Sequence, residues 1–121
     1  MVIFDANMIL RYLLNDQADM AETAEGYLNA GTVSVTTEVI AEVVYVLKGG
    51  YGLERDTIAA TLKSFLGLVD GRDLDVLPLA LETYADRNLD FVDCVLYAYH
   101  RVRGAEIATF DKKLRKLLSE E

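Results

Sequence analysis

Apolar and polar positions change period along the chain, with short β-branched runs set between longer stretches of helical spacing. Val2-Ile-Phe-Asp5 reads as a short buried strand, and residues 7–15 as a helix. A second helix over about residues 20–30 ends at Gly31. Thr32-Val-Ser-Val-Thr36 alternates β-branched and small residues, the pattern of a strand. Thr37 is expected to cap a helix running to about Lys48, where Gly49-Gly50 stops it. Residues 56–68 read as a helix, Leu74-Asp-Val-Leu77 as a strand, and Pro78 opens the helix after it. Asp90 is expected to cap a helix over residues 91–103, closed by Gly104. Glu106-Ile-Ala-Thr-Phe110 reads as a last strand and residues 112–118 as a last helix. Strands separated by helices imply an α/β fold in three layers, a short central parallel sheet with helices on both faces.

Length and charge narrow this picture. The chain has 121 residues, which suits one domain over residues 1–121. One cysteine, Cys94, excludes an intramolecular disulfide and fits a reducing compartment. The N-terminus lacks a basic start followed by a long apolar stretch, and no run of about 18 apolar residues occurs. A cytoplasmic protein is the expectation. Net charge is −8, from 20 acidic and 12 basic side chains. Such a balance argues against a general nucleic-acid binder, whose affinity rests on Lys and Arg. It leaves room for a nuclease, because carboxylates around a bound cation lower only the formal charge. Arg87, Arg101, Arg103, Lys112, Lys113, Arg115 and Lys116 gather seven of the twelve cations in the last third of the chain.

The acids are distributed suggestively. Ligands of open α/β sheets bind beyond the carboxyl ends of the strands. Asp5 ends the first expected strand, and Asp111 follows the last. Asp93 lies in the first turn of the helix leading to that strand, and Glu42 one turn inside the helix after the second. At ~100° per residue, Val39, Ile40, Val43, Val44, Val46 and Leu47 fill an arc of roughly 160°. Glu42 falls about 40° beyond it, at an edge expected to be neither solvated nor buried. Clustered like charges repel unless a cation or protons offset them, and a hard divalent cation with oxygen ligands is the natural partner. Taken singly, each acid also has an ordinary structural role. Asp5, Asp93 and Asp111 can favour helix N-termini, and Glu42 can reach solvent. Asp90 as a fifth carboxylate competes with its reading as an N-cap.

Four blocks resemble a known family. Asp5-Ala-Asn7-Met-Ile-Leu-Arg-Tyr-Leu-Leu14 is similar to the opening of PIN-domain proteins, especially VapC-type toxins of toxin–antitoxin pairs. Thr36-Thr-Glu-Val-Ile-Ala-Glu42, Leu89-Asp-Phe-Val-Asp93-Cys and Ile107-Ala-Thr109-Phe-Asp111 resemble the later blocks, in order, over nearly the whole chain. The resemblance implies a Mg²⁺- or Mn²⁺-dependent ribonuclease restrained by a small antitoxin. Asp5, Glu42, Asp93 and Asp111 match its acidic quartet, and Asn7 and Thr109 its polar neighbours. Cys94 stands where Ala is common, and reads as a compact packing residue.

On this reading the quartet serves as both catalytic and metal-binding residues, with Asp5 the first candidate for direct ligation. A metal-bound water attacks an RNA phosphodiester in line while a carboxylate accepts its proton. Arg101, Arg103, Lys112, Lys113, Arg115 and Lys116 are candidates for guiding RNA phosphates, or else form a solvated cationic face. Arg11 reads as an ordinary surface residue. Seven tyrosines and several apolar helix faces are available to an antitoxin groove or a homodimer. His100 is the only histidine, which disfavours a His-rich zinc site and a Ser-His-Asp triad. The alternatives are a non-catalytic module on the same scaffold and a phosphoacceptor or phosphatase domain using Asp5. Phosphatases of that kind want a second Asp where this chain has Asn7.

Overall fold

The computed structural model describes residues 1–120. Two short strands, β1 (Val2–Ile3) and β2 (Val33–Ser34), pair in parallel with Val2 opposite Val33 and Ile3 opposite Ser34. The backbone ladder continues past them, from the Phe4 amide to the Ser34 carbonyl at 3.2 Å. Alternation along the strands sends Phe4, Val33 and Val35 into the core, while Ile3 faces outward and is 56% exposed. A parallel pair needs a long crossover. Here α1 (Ala6–Leu14) and α2 (Ala18–Asn29) supply it, packed against each other.

The remaining helices are α3 (Thr37–Gly49), α4 (Arg55–Leu66), α5 (Leu77–Asp86), α6 (Phe91–Arg103) and α7 (Lys112–Ser119). α3 is rich in valine, which favours strands locally. It is a helix because Ile40, Val43, Val44 and Leu47, spaced for one helical face, are all buried. α6 likewise buries Phe91, Cys94, Val95 and Ala98, and Gly104 closes it at φ +69°, a left-handed position that suits glycine. α5 packs on α4 and α6, and α6 also meets α3 and α7. No helix among the described residues is long and apolar enough to cross a membrane.

The parallel pairing and the seven helices agree with the pattern of the sequence, but two expected strands do not form. Residues 74–77 are a turn running into α5. The Asp73 carbonyl accepts from the amides of both Val76 and Leu77 at 2.9 Å, bonds of a turn three and four residues long that an extended strand cannot make. The third place in the sheet goes instead to Asp70. Its amide and carbonyl bond Val33 and Val35 across a single parallel bridge, each at 2.9 Å.

Residues 106–110 are extended but belong to no ladder among the described residues. They keep the alternation, with Ile107 turned inward against the core and Phe110 outward and 97% exposed. Local bonds hold both ends. His100 Nδ1 meets the Ala105 carbonyl at 2.8 Å, and Thr109 Oγ1 accepts from the Asp111 amide at 3.0 Å. Such bonds compete with strand pairing. A smaller correction concerns Thr37. Thr36 is the N-cap of α3, accepting from the Val39 amide at 3.2 Å, and Thr37 donates to Asp73 at 2.5 Å.

One side chain fixes the approach to α6. Arg55, at the start of α4, donates from Nε to the Tyr84 carbonyl at 2.7 Å and from Nη2 to the Arg87 carbonyl at 2.8 Å. Nη2 also donates to the Leu89 carbonyl. Its guanidinium lies 3.7 Å from the Tyr84 ring centre. These carbonyls end α5 and form the bend before α6, and helix ends leave such groups without partners of their own. Arg55→Met should destabilise the fold by about 2–4 kcal/mol, since charge-assisted bonds to partly buried carbonyls are lost. Arg55→Lys should recover little of that, lacking the planar fork. Urea denaturation measures both; a loss under about 0.5 kcal/mol in the methionine variant would remove the clamp from this account.

Candidate functional site

Each candidate acid sits at a helix start or on an exposed helical stripe. Asp5 follows Phe4 of the sheet and caps α1, its carboxylate accepting from the Met8 amide at 2.9 Å. Asp111 caps α7 in the same way, accepting from the Leu114 amide at 2.8 Å. Asp93 is half-buried in the first turn of α6. Asp90 occupies the N-cap position of α6 but makes no side-chain capping bond, contrary to the expected cap. Glu42 is exposed on α3 rather than intermediate. The apolar arc of that helix closes at the half-buried Val46, and the next stripe, with Glu38, Glu42 and Tyr45, is solvated.

Electrostatics tie three of these acids together. Burial raises the Asp93 carboxyl above its ordinary value, and the charges of Asp111 and Asp90 raise it further. Like charges and partial desolvation therefore meet at the N-termini of α6 and α7. Asp5 and Glu42 share no hydrogen bond with that group. Among the described residues, no three carboxylate, histidine or cysteine side chains gather closely enough to hold a metal ion. Asp93, Asp111 and Asp90 form an open rim instead of a closed cage. Asp5 and Asp111 turn back to cap their own helices.

The donor set still fits a hard cation. All four quartet side chains offer carboxylate oxygens, which Mg²⁺ and Mn²⁺ prefer. Mg²⁺ keeps several waters and takes one or two carboxylates directly, so a rim meets its needs without three acids in contact.

The supporting residues separate by their partners. Thr109 holds the Asp111 amide, while Asn7 is exposed in the first turn of α1, in a hollow with Met8, Arg11 and Asp19. Arg103 is engaged in structure, bonding Asp75 at 2.7 Å, Asp73 at 3.0 Å and the Arg72 carbonyl at 3.0 Å. Arg101 donates to the Tyr97 hydroxyl at 2.8 Å, and Lys113 reaches the Asn88 carbonyl at 3.5 Å. Lys112, Arg115 and Lys116 are exposed on α7. Arg11 is half-buried, donating to Asp16 at 3.0 Å and to the Tyr51 hydroxyl at 3.2 Å. Cys94 is fully buried, and burial pushes its thiol up to about 12. It is a packing residue, as its size suggested.

A family model described as "PIN domain" matches residues 2–118. The chain belongs to the PIN-domain family. Among curated proteins it is similar to a VapC ribonuclease of Aquifex aeolicus (strain VF5). The two are 26% identical over 125 residues, covering 97% of this chain and 92% of that protein. No solved structure matches the chain. The acids of this PIN domain span the matched region from Asp5 to Asp111.

Sequence reasoning missed two features of the site's surroundings. One is the Asp73 knot, where burial favours the neutral acid but bonds from Thr37, Tyr99 and Arg103 outweigh it and hold the carboxyl low. The other is a cavity between α3 and α6, lined in part by Tyr45, Lys48 and Asp90. Helical spacing held the signal for the second, since Tyr45 lies three residues beyond Glu42.

Asp93 sets a stability test. Its folded carboxyl titrates above the unfolded one, so the folded chain binds the extra proton between those two values. Stability therefore falls as pH rises through that interval, and the penalty persists above it. Asp93→Asn should raise the melting temperature at pH 7 in metal-free buffer by a few degrees and flatten the acid-side pH dependence. A variant that melts lower at pH 7 contradicts this electrostatic reading.

Proposed function

We propose that this PIN domain is a divalent-cation-dependent endoribonuclease acting as the toxin of a toxin–antitoxin pair. The observation that carries the reading is the PIN-domain match over residues 2–118, within which Asp5, Asp93 and Asp111 all stand at helix starts. The VapC ribonuclease relative supports RNA as the substrate. Asp93 and Asp111 would hold the ion, with Asp5 and Glu42 completing its surroundings directly or through water. Bound there, Mg²⁺ or Mn²⁺ supplies a more acidic water and charge for the scissile phosphate.

The chain's own residues do the rest. A rim carboxylate accepts the proton of the attacking water as its oxygen bonds to phosphorus. The bond from phosphorus to the ribose oxygen opposite breaks in the same displacement, and that oxygen leaves as a hydroxyl with a proton taken from water. Lys112, Arg115 and Lys116, exposed beyond Asp111, attract the RNA backbone. Arg103 contributes through the Asp73–Asp75 pair instead. An antitoxin partner rests on the VapC likeness, while a homodimer and a cytoplasmic setting belong to the same reading as expectations from the sequence.

Asp5→Asn should lower Mg²⁺- or Mn²⁺-dependent cleavage of single-stranded RNA by roughly 100-fold or more while leaving the circular dichroism spectrum unchanged. Cleavage at the wild-type rate by the folded variant would remove Asp5 from the site. Failure of the wild-type chain to bind either ion in calorimetry would return the non-catalytic module. Reversing Lys112 and Lys116 to Glu should weaken RNA binding and flatten its dependence on salt; unchanged binding would leave α7 a structural role only.

A further inference from the structure

A cavity of about 440 Å³ lies between α3 and α6, with Asp90 in its lining. Its floor is apolar, made by Val44 and Phe91, both buried. Tyr45 and Val92 stand at its sides, 80% and 57% exposed, and each neighbours a candidate acid along its own helix. On α3, Tyr45 shares the solvated stripe of Glu42, about 60° from it around the helix. On α6, Val92 directly precedes Asp93. Two polar groups complete the lining. Lys48 is exposed and makes no ion pair among the described residues, and Asp90 has no capping bond. Arg55 and Tyr84 close the far wall, but Arg55 spends its guanidinium on the α5 carbonyls and is not available to a ligand.

We propose that this cavity is a nucleobase subsite, in which Tyr45 stacks on an unpaired base of single-stranded RNA flanking the cleaved bond. The proposal rests on the ribonuclease reading and adds to it where the strand lies. Single-stranded RNA is recognised by stacking splayed bases on aromatic rings and hydrogen-bonding their edges. Every part of that chemistry is present: an exposed ring, an apolar floor, a cation for a phosphate and a carboxylate acceptor for base N–H groups. The cavity's size suits one nucleotide. Its cation and carboxylate complement a nucleotide's phosphate and base edge. A protein partner would instead leave Lys48 and Asp90 to be desolvated at the centre of its interface, which is costly.

The test uses the full chain carrying Asp5→Asn to suppress cleavage, and a fluorescein-labelled single-stranded RNA dodecamer of mixed sequence. Tyr45→Ala should weaken binding about tenfold, within the range for one lost base–aromatic stack. Tyr45→Phe, which keeps the ring, should bind within about twofold of its parent. Lys48→Gln should reduce the slope of log affinity against log salt by roughly one. Sedimentation of the same proteins reports their assembly. Unchanged RNA binding by Tyr45→Ala overturns the subsite, and if that variant also loses self-association the face is a contact between copies. Wild-type chain that still cleaves RNA in that case leaves the ribonuclease reading intact. Wild-type chain that neither binds nor cleaves RNA removes the ribonuclease reading and the subsite with it.

Discussion

The Arg55 guanidinium is the interaction on which the arrangement of the site depends. From the first turn of α4 it satisfies carbonyls of Tyr84, Arg87 and Leu89 and stacks on the Tyr84 ring. Those carbonyls lie in the bend joining α5 to α6. Without a cation there, they would compete for water inside a partly buried corner. With it, Leu89 is held, Asp90 begins α6, and Asp93 follows one turn later. The position of the central acid is thus set by a basic residue 38 positions earlier in the chain. The same side chain closes one wall of the cavity that Tyr45 borders. Fold and site share this one clamp.

The second constraint is electrostatic. A chain with net charge −8 brings Asp90, Asp93 and Asp111 within reach of one another's fields. Part of the repulsion is relieved by helix N-termini, where Asp5 and Asp111 accept backbone amides. Capping is thus compatible with a role in cation binding: it stores the carboxylates in a defined place while the charge they share remains uncompensated. A cation entering the rim would offset that charge. Folding and ligand binding then make opposite demands on the same acids, a conflict typical of functional sites.

Much of this was legible in the sequence, for reasons that differ by element. Helices with a strong apolar face were readable, because Ile40, Val43, Val44 and Leu47 or Phe91, Cys94 and Val95 repeat at helical spacing. Glycine marked the ends at Gly31 and Gly104 through their left-handed conformations. Leu74-Asp-Val-Leu77 misled because a four-residue segment with three apolar positions has no period that separates strand from helix start. What decided it was the Asp73 knot, whose partners Thr37, Tyr99 and Arg103 are distant in sequence. The same distance hid Arg55, whose type and position gave no hint of the carbonyls it serves. The candidate acids could be named from strand ends and family blocks. Their separation into a coupled trio and two others depended on side-chain directions, which spacing does not carry.

The account stands or falls on whether the carboxylate rim holds a divalent cation. Diffraction from crystals of the full chain grown with Mn²⁺ and recorded at its absorption edge tests this most directly. The account predicts an anomalous peak about 2.1 Å from a carboxylate oxygen of Asp93, with Asp111, Asp5 or Glu42 as a further ligand or one water away. Manganese peaks confined to other surfaces, with the rim empty at saturating metal, would contradict it.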